Sequence, residues 1–199
     1  MNQTQALALF DLDGTLTRRD TLSDLLIRQF GLRRCLAAGI PLAPLLLGVP
    51  GGLVSRDTAK TRVLTAFFGG MPEQEFLAMG ERYAEEHLDN LLRPQARERL
   101  HWHISEGHRV IVISASVSDW IRPWTDRQGI ELLASEAARE NGRITGELAG
   151  ANCRGEEKVR RLRGLLDPSD YQPIYAYGDT DGDTAMLALA DHPTYRGLR

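Results

Sequence analysis

The chain has 199 residues, enough for one sizeable core or for a core with a small inserted domain. Its 42% hydrophobic and 26% charged residues are ordinary for a globular protein, and its net charge of −3 lacks the basic excess of a nucleic-acid binder. Cys35 and Cys153 have neither metal-ligand spacing nor a disulfide framework, so reduced thiols are expected. The N-terminal residues lack the features of a signal peptide, and a cytoplasmic enzyme is the expectation.

The segment LALFDLDGTLT, residues 7–17, predicts a buried strand that ends in two carboxylates. The apolar run before Asp11 is typical of a strand buried on both faces of a parallel sheet. If the strand continues to Asp13, both carboxylates point to one side, at the end where open α/β sheets bind ligands. They repel each other, so a hard cation beside them, most simply Mg²⁺, is expected. The alternative is an ordinary strand end that is closed by an Asp-Gly turn.

Residues 18–90 read as helix throughout. The first helix is expected to end at Gly31, and Ser55 is expected to cap a later helix that runs to Phe68. Because strands resume only afterwards, this helical block is predicted to be an insertion behind the first strand. The predicted apolar faces of the two later helices are Ala59, Val63, Ala66 and Phe67, and then Phe76, Met79, Tyr83 and Leu88.

The stretch from Cys35 to Val54 carries no charged residue. It is long enough to span a bilayer, but Pro41, Pro44 and Pro50 interrupt it, and no basic cluster flanks its far end. We therefore predict a kinked helical piece of the insertion rather than an integral membrane span. An apolar lip for a greasy substrate and peripheral membrane contact are the alternatives.

Residues 91–199 alternate strands and helices. This order predicts an α/β fold with a doubly wound parallel sheet core, residues 1–17 and 91–199, and an all-helical cap inserted after the first strand, residues 18–90. Asn141 and Gly142 are typical of a hairpin turn. The other predicted strands are 109–114, 130–134 and 174–177, and the other predicted helices are 93–106, 118–128, 155–166 and 183–190.

Polar side chains follow three of the predicted strands, and the carboxyl ends of parallel strands meet at one edge of a sheet. Lys158 belongs to the first turn of a helix whose N-terminus faces that edge, and Asp183 lies one helical turn beyond Asp179. Four carboxylates against one ammonium require a divalent metal. The alternatives are a solvated charge for Lys158 and a calcium loop for residues 178–183, which lack the distal Glu of an EF-hand. The polar residues that follow these three predicted strands are Asp11, Asp13, Ser114 and Asp179.

Four segments resemble, in the same order, the motifs of the haloacid dehalogenase-like phosphatase superfamily. They are DLDGTLT, VISAS, the helix of Lys158 and YGDTDGD, and they extend from Leu7 to about Leu189. The segment NCRGEEKV is similar to the lysine motif of the phosphoserine phosphatase-like branch, subfamily IB type. The resemblance implies a Mg²⁺-dependent phosphomonoester hydrolase that acts through an aspartyl-phosphate intermediate on a small phosphorylated metabolite.

The resemblance also implies a role for each site residue. Asp11 attacks phosphorus, while Asp13 protonates the leaving group and then deprotonates the attacking water. Lys158 neutralises developing charge, and Ser114 binds a phosphate oxygen with main-chain help at Ala115. The implied metal site contains Asp11, Asp13 through its main-chain carbonyl, Asp179, and Asp183, which orients a metal-bound water or the lysine.

Two positions depart from the phosphoserine phosphatase pattern. Gly182 stands where that branch usually has Asn, and Asp20 stands near the place of a longer Glu. Asp20 is expected either to bind an amino or imidazolium group of the substrate, as in phosphoserine or histidinol phosphate, or to cap the helix that follows it. Arg56, Lys60 and Arg62 are the basic candidates of the cap for substrate binding. A phosphorylated lipid is the competing substrate, because of the long uncharged stretch.

Two rival functions remain beside hydrolysis of a small phosphomonoester. One is a phosphotransferase that passes the phosphoryl group to an alcohol, and the other is a degenerate metal- or phosphate-binding module. Asp11, Asp13, Lys158 and Asp179 are all present, which argues against a degenerate module. No nucleic-acid partner is expected, and the oligomeric state has no signature in the sequence.

The remaining conspicuous side chains are read as structural. His101 and His103 lie two residues apart and do not share a helix face, so both are expected at the surface rather than on a metal. Trp120 and Trp124 lie four residues apart and are expected to pack a helix on the sheet.

Overall fold

The computed structural model describes residues 5–49 and 53–198, without the side chains of residues 44–46. Its strands are β1 (Leu7–Phe10), β2 (Arg109–Val117), β3 (Glu131–Ser135), β4 (Ala137–Glu140), β5 (Arg143–Leu148), β6 (Ile174–Gly178) and β7 (His192–Tyr195). Five of them form a parallel sheet in the order β3-β2-β1-β6-β7, and β4 with β5 forms an antiparallel hairpin. The predicted parallel α/β sheet is confirmed.

The first strand lies at the centre of the sheet because it is apolar on both faces. Alternate side chains of β1 enter two different layers of the core, and all four are fully buried. Phe10, its last residue, pairs with Val112 of β2 and with Tyr177 of β6. The carboxyl ends of three strands therefore meet side by side, and Asp11 follows the central one.

Every regular element described between Thr21 and Leu91 is helical, as predicted. A π-helical turn, Ala84–Leu88, joins the third and fourth helices. The separation of residues 18–90 from the core as a cap stays a prediction. The helices are α1 (Thr21–Gly48), α2 (Arg56–Phe68), α3 (Glu73–Tyr83), α4 (Asp89–Leu91), α5 (Pro94–Ser105), α6 (Arg122–Gln128), α7 (Glu156–Leu165) and α8 (Thr184–Leu187).

The first helical stretch breaks at Gly31, where its end was predicted, and a second stretch of α1 continues directly from this kink to Gly48. Gly31 adopts φ 77° and ψ 153°, which a residue without a Cβ reaches at little cost. The helix after the kink contains much of the uncharged Cys35–Val54 stretch, of which residues 50–52 lie outside the described residues. Among the helices of residues 5–49 and 53–198, none combines the length and apolar character that a bilayer crossing requires.

The second helix begins as predicted, but its buried face is shifted. The Ser55 hydroxyl accepts the main-chain N–H of Thr58 at 3.0 Å, which confirms the cap. Ala66, predicted to be buried, is exposed, whereas Phe68 is fully buried. The reason is tertiary, since Phe68 joins an aromatic cluster with Phe76 of α3, at a ring-centroid distance of 5.2 Å. Leu64 is buried on the same side of the helix.

The predicted hairpin forms at Asn141 and Gly142, and it packs against the helical block. Both turn residues have positive φ, 51° and 73°, as a tight two-residue turn requires. The Ile144 N–H donates to the Met71 carbonyl at 2.9 Å, and the Ile144 carbonyl accepts the N–H of Gly70 at 2.7 Å. Strand β5 therefore contacts the segment between α2 and α3.

The predictions were least accurate at the C-terminal end. The last helix, Thr184–Leu187, is shorter than predicted, and the edge strand His192–Tyr195 was not predicted at all. That strand is mostly exposed and contains Pro193, which an edge position tolerates because one side of the strand needs no ladder hydrogen bonds.

Both conspicuous tryptophans are fully buried. The indole N–H of Trp120 donates to the Thr21 hydroxyl at 3.2 Å, and that of Trp124 donates to the Asp89 carboxylate at 2.9 Å. Each ring therefore packs in the core while its polar edge binds the helical block, so these residues also connect the insertion to the sheet.

The histidine prediction is half wrong. His101 is exposed, but His103, two residues later on α5, is fully buried. Its Nδ1 lies 2.7 Å from Nδ1 of His108, and its Nε2 lies 2.9 Å from the Tyr177 hydroxyl. Burial, together with the charges of His108 and Arg99, lowers the pKa of His103 to about 3.

His103 should make folding stability sensitive to acid. Its folded pKa of about 3 lies below the ordinary 6.5, so below pH 6.5 the unfolded chain takes up a proton that the folded chain does not. We expect the free energy of unfolding to fall by up to about 1.4 kcal/mol per pH unit as the pH drops from 6.5 towards 3. Urea unfolding of wild type and His103→Gln between these pH values tests this. The exposed His101→Gln is the matched control and should keep the wild-type slope; an equal slope in all three proteins would contradict the prediction.

Candidate active site

A buried ammonium group lies between two carboxylates at the carboxyl edge of the sheet. Lys158 is 1% exposed, and its Nζ donates to Asp11 Oδ1 at 2.6 Å, Asp183 Oδ1 at 2.7 Å and the Ile113 carbonyl at 2.7 Å. These three acceptors use all three of its N–H donors. Burial opposes the charged form, but the two carboxylates outweigh it and raise the pKa of Lys158, so the ammonium stays charged. The first turn of α7 thus places the Lys158 side chain in contact with Asp11, at the sheet edge where it was predicted.

Asp183 is held by hydrogen bonds on both of its oxygens. Its Oδ2 accepts the main-chain N–H groups of Asp179 and Thr180 at 3.1 and 2.9 Å, and the Thr180 hydroxyl at 3.0 Å. Its Oδ1 accepts from Lys158. Burial acts to raise the pKa of Asp183, but the charge of Lys158 and these hydrogen bonds keep it below its usual value. A carboxylate that is bonded in this way is well suited to position Lys158.

Asp11, Asp179 and Asp183 form an acidic cluster that fits a divalent metal. Each offers one carboxylate oxygen, and these oxygens lie within 4.8 Å of one another. Burial raises the pKa of Asp11 to about 6, although Lys158 acts to lower it. The Lys158 ammonium faces the two carboxylates of Asp11 and Asp183, which leaves net negative charge in a nearly dry place. Carboxylate oxygens with that charge match the preference of a hard divalent cation.

Gly14 makes room for the Asp179 carboxylate. Its φ is 89°, and a Cβ at this position would lie 2.5 Å from Asp179 Oδ2. The neighbouring Thr15 hydroxyl donates to Asp179 Oδ1 at 3.4 Å. The Asp-Gly-Thr turn after β1 therefore does more than reverse the chain, because it lets the end of β6 approach the end of β1.

The Asp13 side chain does not join the acidic cluster. Strand β1 ends at Phe10, so the alternation that would align Asp13 with Asp11 does not apply beyond it. Asp13 Oδ1 accepts the Thr21 N–H at 2.7 Å, and Oδ2 accepts the Ser116 hydroxyl at 2.6 Å. Burial and the nearby charge of Asp20 raise the pKa of Asp13 to about 7. Its predicted metal contact, through the main-chain carbonyl, stays a prediction.

Ser114 is fully buried, and the wall of the site beside it is formed by its two successors. Its hydroxyl accepts the main-chain N–H of Ser116 at 3.0 Å. Ala115 and Ser116 line the cavity, and Ser116 reaches Asp13. The role of Ser114 in phosphate binding stays a prediction, whereas Ser116 is a site residue that the sequence interpretation missed. Its signal was the second serine of the VISAS segment.

A cavity of about 270 Å³ opens over these groups. Its size suits a small phosphorylated metabolite rather than a polymer. It brings together most of the predicted site residues from the sheet edge and the helical block. Its lining includes Asp11, Asp13, Asp20, Leu22, Arg56, Lys60, Ala115, Ser116, Asn152, Arg154, Lys158, Thr180, Gly182 and Asp183.

Cationic side chains from both halves of the chain line this cavity. Lys60 of α2 donates to the Ala115 carbonyl and, at 3.0 Å, to Asn152 Oδ1. Burial lowers the pKa of Lys60 to about 8, although nearby carboxylates act to raise it. Arg56 is more exposed and lies 3.8 Å from the Asp181 carboxylate. Of the three predicted basic candidates, Arg56 and Lys60 reach the cavity, whereas Arg62 is exposed and is not one of the residues that line it.

Arg154 is a further cation that the sequence interpretation missed. Its guanidinium binds Asp181 at 2.5 Å, and its side chain occupies the space beside Gly182, where a Cβ would lie 2.8 Å from Arg154. The glycine in place of the expected Asn is therefore matched by an arginine from the loop before α7. The departure at Gly182 was visible in the sequence, but the residue that fills its place was not.

Asp20 lines the cavity and also caps α1. Its Oδ1 accepts the N–H of Ser23 at 2.8 Å and the Ser23 hydroxyl at 2.7 Å. Both readings of Asp20 are therefore compatible with the structure, because the cap uses one oxygen of the carboxylate. Its role in substrate binding stays a prediction.

Comparisons with known proteins agree with this geometry. The sequence profile of the haloacid dehalogenase-like hydrolase family matches residues 8–188. Protein CicA of Caulobacter vibrioides (strain NA1000 / CB15N) is 34% identical over 201 residues, which cover 100% of this chain and 89% of CicA. Phosphoserine phosphatase SerB1 of Mycobacterium tuberculosis (strain ATCC 25618 / H37Rv) is 27% identical over 192 residues, which cover 92% of this chain and 62% of SerB1.

A solved structure has the same fold. A protein with unknown function from Bordetella pertussis Tohama I superposes with a TM-score of 0.78 at 25% sequence identity, over 94% of this chain and 87% of that one. The profile match extends over β1, β2 and β6, the three strands whose ends carry the acidic cluster and the cavity. The chain therefore belongs to the haloacid dehalogenase-like hydrolase family, in the branch that resembles phosphoserine phosphatases.

Proposed function

We propose that this protein is a Mg²⁺-dependent phosphomonoester hydrolase that acts through an aspartyl-phosphate on Asp11. The observation that carries the proposal is the buried contact of Lys158 with Asp11 and Asp183, at 2.6 and 2.7 Å, on the wall of a small cavity. A phosphatase is also the printed function of one relative, SerB1. A lysine that is buried only to neutralise carboxylates would not need to face a ligand-sized space.

The reaction that we infer has two balanced steps. Asp11 uses Oδ2, since Oδ1 is bound to Lys158, to form a bond to phosphorus while the bond from phosphorus to the leaving oxygen breaks. Asp13 gives its proton to that oxygen, and the alcohol leaves. Water then attacks the phosphorus of the aspartyl-phosphate, Asp13 takes up the water proton, and phosphate and free Asp11 are released.

The chain's own groups set up these steps. Lys158 stays charged and close to Asp11, so it stabilises negative charge that develops on the phosphoryl oxygens. Ser116 and the Thr21 N–H orient the Asp13 carboxylate, which holds it ready for proton transfer. Asp11 and Asp179, with Asp183, would hold Mg²⁺, which when bound neutralises charge on the phosphate and on the cluster.

The substrate that we infer is a small phosphomonoester whose leaving group carries further charge. Arg56, Lys60 and Arg154 line the cavity together with Asp20, so its wall offers cations for an anionic group and a carboxylate for an ammonium group. A panel of phosphorylated metabolites, with free phosphate as the readout and Mg²⁺ present or chelated, tests the proposal. Release of phosphate from none of them, or release that is indifferent to chelation, would contradict it.

Replacing Asp179 by Asn should chiefly weaken activation by Mg²⁺. The amide keeps the shape beside Gly14 but is a poorer ligand for a hard cation than a carboxylate. We expect the Mg²⁺ concentration at half-maximal activity to rise by about tenfold or more, with turnover partly recovered at saturating Mg²⁺. The measurement is phosphatase activity against Mg²⁺ concentration. A titration that matches wild type would remove Asp179 from the metal site.

Replacing Asp20 by Asn should separate substrate recognition from helix capping. Asn is also a good N-cap and can keep the bonds from Ser23, so only the charge is lost. We expect KM for amine-bearing phosphates such as phosphoserine to rise by about tenfold. This factor corresponds to the typical free energy of a hydrogen bond to a charged group. An uncharged aryl phosphate serves as the internal control and should keep its KM. If lipid phosphates outperform every amino-phosphate and the variant behaves as wild type, Asp20 is only a cap.

A further inference from the structure

An apolar stripe is exposed along the second half of α1. It consists of Leu32, Leu36, Ile40 and Leu47, which are 57%, 61%, 76% and 79% exposed. Their spacing places all four on one face of the helix. A scattered exposed leucine needs no explanation, but a contiguous row of large aliphatic side chains on a helix marks a contact surface.

The stripe faces outward because the other side of the same helix is anchored. Cys35 and Ala38 pack against the main core. Phe30, just before the kink at Gly31, packs against Phe67 of α2 with ring centroids 5.2 Å apart. The apolar character thus runs around the helix, although only one side of it is buried in the protein. A helix that is apolar on all sides is normally surrounded by apolar groups, so we expect the exposed side of this one to contact a further apolar surface.

The charge around the stripe has one sign. From Leu25 to Arg56 the sequence contains no Asp or Glu, although the whole chain has a net charge of −3. Arg33 is exposed beside the stripe, and Arg34 is exposed further round the same helix, where its guanidinium lies 4.6 Å from the Phe30 ring centroid. An apolar face bordered by arginines on an otherwise acidic protein is complementary to an anionic, partly apolar partner.

We propose that the apolar stripe and its flanking arginines bind the surface of an anionic lipid membrane, with the second half of α1 lying in the plane of the interface. Aliphatic side chains would enter the acyl boundary while Arg33, beside the stripe, contacts lipid phosphates and Arg34 adds positive charge nearby. A second copy of the chain is a poorer occupant, because the same segment of that copy carries no Asp or Glu that could pair with these arginines. The proposal goes beyond the phosphatase function and does not depend on it.

Sedimentation with vesicles, in the absence of substrate, tests the proposal. The full chain is mixed with vesicles of phosphatidylcholine alone or of equal parts phosphatidylcholine and phosphatidylglycerol. We expect binding to the anionic vesicles that weakens as salt increases, and much less binding to the neutral ones. Leu36→Gln/Ile40→Gln should reduce that binding by about tenfold or more, because each glutamine removes an aliphatic side chain from the interface while keeping helix propensity.

Matched variants identify the surface. Leu77→Gln/Leu165→Gln changes two exposed leucines elsewhere, 43% and 42% exposed, and should bind as wild type does. Arg33→Gln/Arg34→Gln should remove the preference for anionic vesicles. Equal binding to both vesicle types, no binding, or unchanged binding of the stripe variant would overturn the proposal. So would a wild-type dimer, seen by light scattering, that Leu36→Gln/Ile40→Gln dissociates, because a second copy would then cover the stripe.

Discussion

Asp11→Asn is expected to lower turnover by roughly 10⁴-fold or more without unfolding the protein. The amide nitrogen and oxygen of Asn cannot form the aspartyl-phosphate, and no other described carboxylate accepts a hydrogen bond from Lys158 except Asp183. The side chain keeps its size in a site that is already packed, so the core formed by β1 is not disturbed. Steady-state phosphate release and thermal unfolding of the same samples measure both parts of this expectation.

The proposed intermediate can be observed directly. Acid quenching during turnover should trap a phosphorylated wild-type chain that hydroxylamine cleaves, as an acyl phosphate requires, and Asp11→Asn should show none. Asp170→Asn, an exposed aspartate in the turn before β6, is the matched control and should behave as wild type. A folded Asp11→Asn protein that turns over normally would refute Asp11 as nucleophile.

Lys158→Met is expected to damage stability and turnover together. Removing the ammonium leaves the buried carboxylates of Asp11 and Asp183 with no cation between them, and breaking a buried ion pair of this kind costs about 3–5 kcal/mol. Turnover should fall as well, because charge developing on the phosphoryl group loses its nearest ammonium. Urea unfolding in the presence of a chelator measures the first effect, and phosphate release with Mg²⁺ measures the second.

A double variant separates the two effects of Lys158. Lys158→Met/Asp183→Asn removes one of the two carboxylate charges that are left without a cation. We therefore expect the double variant to recover part of the lost free energy of unfolding. Turnover should not return, since no cation is restored beside Asp11. If the double variant is no more stable than Lys158→Met, repulsion between the two carboxylates is not the source of the instability. Wild-type turnover of either variant would exclude Lys158 from the reaction.

The parallel sheet and the identity of its central strand could be predicted from the residues alone. Residues 7–10 are apolar without interruption, so both faces had to be buried, and the structure places them in two core layers. The order of the strand-terminal residues also predicted that Asp11, Asp179 and Asp183 would meet, because parallel strands present their carboxyl ends at one edge. These inferences succeed because burial and strand direction are properties of each local segment.

The directions of the side chains beyond the strand ends, in contrast, depend on tertiary contacts. Asp13 turns to Ser116 and Thr21 because β1 stops before it and Gly14 bends the chain. Arg154 fills the place beside Gly182, although 28 positions separate them in the sequence.

The positions of His103 and the leucines of α1 were likewise decided by neighbours distant in sequence. His103 is buried because Tyr177 of β6 and His108 close over it, whereas Leu36 and Ile40 stay exposed because no described element covers their side of the helix. Such outcomes depend on contacts between segments far apart in the chain. Local periodicity specifies which faces of an element are apolar, but it does not specify which of those faces another element covers.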